Sequence, residues 1–237
     1  MTTDAIRESL IILQARTGSK RLPGKVLLPL GGIALLAHCI RRLQQVAPVL
    51  VATSTLDSDQ AVVNLAQQEN AECFRGSELD VLDRYYRAAA QYGARFIIRA
   101  TGDNPFVDIE EAKRVRDFIR RESADYVSGV TPVEGAALPE GSGVEAFSLN
   151  ALKRSWQEGS APHHREHVNE YILENPNLFR TVNLKCLPHN NCPELRVTVD
   201  TAKDLQFAQQ LLSAIPKYPP AITTAEIIRW WRGFKHA

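Results

Sequence analysis

The sequence predicts an α/β fold with a mainly parallel central sheet and a smaller β-containing excursion. In the first half of the chain, short apolar runs alternate with amphipathic stretches, the signature of βα units around a parallel sheet. A stretch rich in Gly and Pro at 129–143 then interrupts that order. The hydrophobic set makes up 44% of 237 residues, enough to fill one large core. Residues 1–237 therefore read as a single domain, with 129–198 an excursion within it.

The first element is the run at 9–14 (SLIILQ), a buried-strand pattern. Residues 34–46 put Leu35, Leu36, Cys39, Ile40 and Leu43 at helical spacing, with Arg41, Arg42, Gln44 and Gln45 free to face water. Pro48 precedes a strand at 49–52. Ser58 is placed to cap a helix carrying Ala61, Val62 and Leu65, and the short segment 73–74 follows. A third helix is expected from Ser77, whose spacing to Asp80 resembles a capping box, to Tyr92, with Gly93 ending it. A strand at 96–99, a helix at about 109–121 and a strand at 125–128 close the first half. Beyond the loop come a strand at 144–147 and a helix near 149–157. Pro162 can open a helix running through Glu174, which Asn175-Pro176 stops. Two antiparallel strands are expected at 179–185 and 195–199, then a helix at 201–212 and a short one ending at Trp230-Trp231.

Composition narrows the function. Lys and Arg total 28 against 27 Asp and Glu, so a net charge of +1 argues against a broad surface for nucleic acid or an anionic membrane. Any anion must be held by a local cluster. No run approaches the roughly 18 apolar residues of a membrane span, and the first residues lack the pattern of a secretory signal. Cys39, Cys73, Cys186 and Cys192 form no CxxC pair and read as free thiols in a reducing cytosol, so the expected location is cytoplasmic.

The cluster is found directly after the first strand, in Ala15-Arg16-Thr17-Gly18-Ser19-Lys20-Arg21-Leu22-Pro23-Gly24-Lys25. Glycines let backbone N–H groups approach phosphate oxygens, and cationic side chains there gain value as a pyrophosphate leaves. This is neither a Walker A loop, because Val26 stands where Ser or Thr should follow the Lys, nor GxGxxG. Its place at the carboxyl end of a strand favours ligand binding over a solvated basic loop. A second signal is Thr101-Gly102-Asp103-Asn104-Pro105: Asp103, in a Gly-containing turn at a strand end, can hold Mg²⁺ on a triphosphate, or it is an ordinary turn residue. The third is Val197-Thr198-Val199-Asp200-Thr201, where Asp200 either caps the next helix or reaches the same ion as Asp103. The latter requires the late segment to pack beside the early sheet.

In this order, ARTGSKRLPGK, Ala52-Thr53, Arg75-Gly76-Ser77, Thr101-Gly102-Asp103 and Val199-Asp200-Thr201 resemble the CMP-sugar synthetase type of cytidylyltransferase. The likeness spans about residues 10–212 and is closest to the spore-coat polysaccharide biosynthesis branch, related to the CMP-Kdo and acylneuraminate synthetases. It implies a Rossmann-like nucleotide-diphospho-sugar transferase fold and Mg²⁺-dependent attack of a sugar or sugar-acid hydroxyl on the α-phosphate of CTP, with pyrophosphate leaving. By position it makes Ala15, Arg16, Ser19, Lys20 and Lys25 triphosphate-binding, with Arg16 and Lys25 catalytic. Ala52, Thr53, Arg75, Gly76 and Ser77 would line the nucleotide pocket, and Asp103 and Asp200 would be the metal carboxylates. Thr198 stands where acylneuraminate synthetases have a second Asp.

The run His163-His164-Arg165-Glu166-His167 is not HExxH and shows no third metal ligand in sequence. The resembling family carries a similar Arg-Glu-His run, so Arg165, Glu166 and His167 are candidates for the acceptor site or a subunit interface, with Glu145 a further acceptor candidate. The 129–198 excursion is accordingly expected to bind acceptor or to support a homodimer. Trp230, Trp231, Tyr85 and Tyr86 read as packing residues. Two other functions stay open: a glycosyltransferase on a related nucleotide-sugar fold, although no Asp-x-Asp marks the strand end, and a catalytically silent sugar-binding or assembly protein.

Overall fold

In a computed structural model, which describes residues 7–217 and 219–235, the first apolar run becomes β1 (Arg7–Gln14), with Leu10 to Leu13 wholly buried. The cationic loop follows, and then the strands β2 (Pro29–Leu30) and β3 (Ile33–Ala34) pair antiparallel across Gly31-Gly32. Both glycines have positive φ, 59° and 89°, which a two-residue hairpin turn requires. The chain continues through α1 (Leu35–Leu43), β4 (Val49–Ser54), α2 (Gln60–Gln68), β5 (Glu72–Gly76), α3 (Val81–Gln91), β6 (Ala94–Thr101), α4 (Ile109–Glu122) and β7 (Tyr126–Ser128). After the long loop come β8 (Glu145–Ser148), α5 (Leu149–Glu158), α6 (Pro162–Glu166), α7 (Glu170–Glu174), β9 (Thr181–Asn183), α8 (Ala202–Ala214) and α9 (Thr224–Lys235).

The main sheet has the order β5-β4-β1-β6-β8-β7-β9. Its first four strands are mutually parallel, β8 runs antiparallel to both β6 and β7, and β9 is parallel to β7. The sheet is thus mainly parallel, and β8 alone among these strands is reversed. Alternate side chains along each strand feed two cores. Ile11, Leu13, Val51 and Ile98 pack on one face with Leu36 and Ile40 of α1 and Val115 and Ile119 of α4. Leu10, Ile12, Leu50 and Ile97 pack on the other with Leu82 and Tyr85 of α3 and Leu152 of α5. Because β1, β4, β5 and β6 point the same way, their carboxyl ends and the loops that leave them gather along one edge. Among the described residues, no helix is long and apolar enough to cross a membrane.

Four local expectations are corrected. Residues 195–199 form no strand pair with 179–185: β9 pairs parallel with β7, and the later segment gives its N–H groups to loops, Val197 to the Glu140 carbonyl and Val199 to the Asp103 carbonyl, each at 2.8 Å. The helix expected from Pro162 through Glu174 is broken into α6 and α7, because Val168 is wholly buried in the second core and the chain opens at His167 (φ −113°, ψ 111°) to put it there. Ser58 does not cap α2, which begins at Gln60. The third helix starts at Val81 rather than Ser77, with Asp80 as its cap through the Asp83 N–H at 2.8 Å, while Ser77 Oγ accepts the Asp80 N–H at 3.0 Å.

Candidate active site

The loop after β1 is fixed at both ends before it presents any side chain. The Ala15 N–H donates to the Ala52 carbonyl, and the Gly24 N–H closes on the Thr17 carbonyl at 3.0 Å, with Gly24 itself at φ 66°. Between them Asp59, only 1% exposed, accepts from the Thr17 N–H and hydroxyl at 2.7 Å each and from the N–H and hydroxyl of Ser54. Burial pushes the Asp59 carboxyl up, but these hydrogen bonds outweigh it and hold the group below its ordinary range. A buried carboxylate thereby ties the loop to the end of β4.

The loop after β6 closes on the same edge. At Gly102 an added Cβ would lie 3.0 Å from the Ala15 side chain and 3.3 Å from the Gln14 carbonyl, so glycine is what lets this turn pack against β1. The turn carries Asp103, whose Oδ1 accepts from the Thr101 hydroxyl at 2.6 Å. The Asp103 carbonyl accepts the Val199 N–H, which draws the 197–199 segment alongside and delivers Asp200. Lys25 Nζ then donates to Asp103 Oδ2 and to Asp200 Oδ1, at 2.8 Å each, although Lys25 is only 8% exposed. Arg21 also reaches Asp200 Oδ1 at 2.8 Å, and Arg196 takes Asp200 Oδ2. Burial would raise the Asp200 carboxyl, but the Lys25 hydrogen bond and charge, with Arg21 and Arg196, hold it below the usual range. Residues from three distant parts of the chain thus meet at one point.

Ala15, Arg16, Ser19, Lys20, Lys25, Asp103, Glu166 and Asp200 line one cavity of about 380 Å³, together with Arg21 and Thr101. Arg16 is held lightly, 3.8 Å from the Glu78 carboxylate and 3.5 Å from its carbonyl. Ser19 Oγ accepts the Leu22 N–H at 3.3 Å. Ala52 and Thr53 are wholly buried at the end of β4, and Arg75, Gly76 and Ser77 continue from β5 beside them, none of them on this cavity's wall. Arg75 clamps the Ser54 and Leu56 carbonyls at 3.0 and 2.7 Å.

Glu145 lines a neighbouring cavity of about 450 Å³ that shares Thr101 with the first. Arg165 lines neither: its guanidinium grips the Asp80 carboxylate at 2.6 Å and the Trp156 carbonyl at 2.9 Å, joining α6 to the start of α3. His167 is exposed, with its backbone N–H on the His163 carbonyl. His163 and His164 each place Nε2 2.7 Å from one oxygen of Glu174, the third group that the sequence did not show. His164 Nδ1 accepts the Ala161 N–H, which puts the ring proton of a neutral His164 on Nε2, toward Glu174 and away from metal ligation.

Sequence reasoning missed Asp59, Arg99, Thr101 and Arg196 as individual contributors, and left Arg21 unassigned within the cationic loop. Arg21 was legible by its place in that loop. Asp59 acts through Thr17, 42 positions away, which no local spacing reveals, and Arg196 through the carboxylate of Asp200, four positions on.

The family model described as cytidylyltransferase matches residues 10–225. The spore coat polysaccharide biosynthesis protein SpsF of Bacillus subtilis is 33% identical over 231 residues, covering 94% of this chain and 93% of its own. A 3-deoxy-manno-octulosonate cytidylyltransferase of Nitrobacter winogradskyi is 25% identical, covering 86% of this chain and 94% of its own. The solved structure of a cytidylyltransferase from Leptospira borgpetersenii superposes with a TM-score of 0.88 at 26% identity, covering 97% of this chain and 96% of that one. The chain belongs to the cytidylyltransferase family, and the edge where Lys25 meets Asp103 and Asp200 is the candidate seat of its nucleotidyl transfer.

Proposed function

We propose that this protein transfers CMP from CTP to a hydroxyl of a sugar or sugar acid, with Mg²⁺ and with release of pyrophosphate, in the biosynthesis of a cell-surface polysaccharide. The observation that carries the reading is the convergence of Lys25, Asp103 and Asp200 at the floor of a cavity whose rim carries Arg16, Lys20 and Arg21. Two carboxylates aimed at one point suit a hard cation, and the Lys25 ammonium now stands at that point, 2.8 Å from an oxygen of each. Asp103 and Asp200 would hold Mg²⁺, which when bound neutralises charge on the phosphoryl oxygens. Lys25, Arg16 and Lys20 supply further positive charge to the leaving phosphates, where it is worth most as the bond breaks. Gly18 and Ser19, both on the cavity wall, orient the triphosphate. Asp59 holds the adjoining Thr17 backbone in place from below.

The end of β4 and β5 stays free of the phosphate-facing wall and is the place for the cytidine, as the resemblance to this family implies. A cytoplasmic location and a homodimer belong to the same proposal, and four free cysteines suit a reducing compartment. The test is pyrophosphate release measured for CTP, UTP, ATP and GTP against a panel of sugars and sugar acids, with and without Mg²⁺. Release that requires CTP, Mg²⁺ and an acceptor is the expected result. Equal use of all four triphosphates, or turnover that persists in excess chelator, would overturn it.

A further inference from the structure

Every carboxylate oxygen at the candidate centre already has a partner from the chain itself. Asp200 Oδ1 accepts from Lys25 Nζ and pairs with Arg21, at 2.8 Å each, and Oδ2 accepts from Arg196. Asp103 Oδ2 accepts from Lys25 at 2.8 Å, and Oδ1 accepts from the Thr101 hydroxyl at 2.6 Å. Arg196 is itself balanced by Asp204 at 2.8 Å and Glu140 at 3.0 Å, which leaves Lys25 and Arg21 to neutralise Asp103 and Asp200 one for one. The backbone keeps Lys25 in reach of both: its N–H donates to the Leu22 carbonyl and its carbonyl accepts the Leu28 N–H, at 3.1 Å each. The rim of the same cavity differs. Lys20 is exposed there, and Arg16 stands 3.8 Å from Glu78, so cations remain accessible at the rim while the carboxylates of the floor are taken.

We propose that Lys25 is an internal cation that keeps the Asp103 and Asp200 pair closed to free divalent metal until a nucleoside triphosphate binds, so that Mg²⁺ enters with the nucleotide and not ahead of it. The inference rests on the cytidylyl-transfer reading above. A divalent ion arriving alone would have to displace a buried ammonium held by two carboxylates, and would then sit beside Lys25 and Arg21, both of which repel it. The displaced ammonium would be left buried without a counter-charge, which is a costly state. A triphosphate removes both obstacles. Its oxygens offer Lys25 and Arg21 the negative charge that they give up at the carboxylates, and the metal it carries supplies the positive charge that the carboxylates then lack. The exchange re-pairs every ion and strands none. A lysine suits this task, because its compact charge rides on a flexible four-carbon stem that can turn from one partner to the other. By linkage, metal and nucleotide then favour each other's binding to the same degree.

Titration of the whole protein with Mn²⁺, followed by electron paramagnetic resonance without nucleotide, tests the proposal. Lys25→Met keeps the length of the side chain and removes its charge, so it should bind Mn²⁺ on the order of tenfold or more tightly than the wild type. Adding Asp200→Asn to Lys25→Met should abolish that gain, which ties it to these carboxylates. If Lys25→Met is unfolded, side-chain NMR of the ¹⁵N-lysine-labelled wild type decides, with the Lys25 signal assigned through Lys25→Arg. CTP with chelator should move that signal, and Mg²⁺ alone, at the concentration used to assay pyrophosphate release, should leave it in place. Mn²⁺ binding by the wild type as tight as by Lys25→Met, a gain that survives Asp200→Asn, or a Lys25 signal that Mg²⁺ alone moves as far as CTP does would overturn the proposal. Pyrophosphate release from CTP by the same preparation separates the two readings: its absence counts against cytidylyl transfer, while the Mn²⁺ titration still decides whether Lys25 closes the carboxylate pair.

Discussion

Lys25 is held by two carboxylates, one 78 and the other 175 positions away in sequence. Asp103→Asn and Asp200→Asn each remove an anionic oxygen ligand with little change of shape, and each should lower kcat by about a hundredfold or more. The double change should cost far less than the product of the two, because groups serving one ion act as a unit. Single-turnover rates and Mg²⁺ titrations check this; near-normal turnover in Asp200→Asn would leave that residue a structural partner of Lys25. Asp59 makes a different claim. Its carboxylate is held below its ordinary value of 3.8 by Thr17 and Ser54 against the upward push of burial. A carboxyl depressed in the folded state stabilises above its unfolded pKa, and that contribution is lost as pH falls through the lower folded value. Asp59→Asn should therefore be less stable than the wild type at neutral pH, by about 2 kcal/mol, with the gap closing as pH drops below about 3.8. Urea unfolding at a series of pH values measures it, and a gap that widens in acid would refute the assignment. The sequence made Asp103 visible by its Gly-containing turn at a strand end and Asp200 by the apolar alternation it closes, but Asp59 sits in a polar stretch where only its distant partners give it meaning.

Elements show the same division. The helix expected at 201–212 was legible from its amphipathic run, but it spans 202–214 and its cap is Thr201 where Asp200 was the candidate. The structure shows a reciprocal cap, Thr201 Oγ1 accepting the Asp204 N–H at 3.3 Å and Asp204 accepting the Thr201 N–H at 2.8 Å. Thr201→Ala should lower stability by about 1 kcal/mol, read as a shift of the denaturation midpoint at constant slope. A shift indistinguishable from zero would mean that Asp204 alone caps the helix. The break between α6 and α7 was not legible, since Val168 looks like any apolar residue on a helical face. Only the depth of the core beneath it, and the reach of Asn169 to Glu145, decide that the chain must open there. The segment 195–199 misled for a related reason: its alternation is genuine, but its hydrogen bonds go to Glu140 and Asp103 instead of a neighbouring strand.

Across the molecule, the parallel half could be read from the order of βα units, whereas the reversed β8 could not. Strands buried on both faces show the same apolar run in either direction, and direction is set by the length and path of the loop at 129–144. Position in the sheet should govern local stability. The amides of β1 and β6, flanked on both sides, should exchange hydrogen only through global unfolding, while β9 at one edge and β5 at the other should exchange sooner. Native-state exchange at increasing denaturant orders them, and early exchange in β1 would contradict the sheet's centre.

One strand, β6, carries both Arg99, on the wall of the 450 Å³ cavity, and Thr101, which lines both cavities and holds Asp103. Two residues apart, they project from the same face, separated by about 6.6 Å of strand rise. The strand is therefore a fixed gauge between the two cavities. No slip of a single residue can lengthen it without turning both side chains into the opposite core. Any change in the width of the larger cavity must therefore come from its opposite wall, the loop that carries Val130, Leu138 and Glu140, while the spacing along β6 keeps its setting.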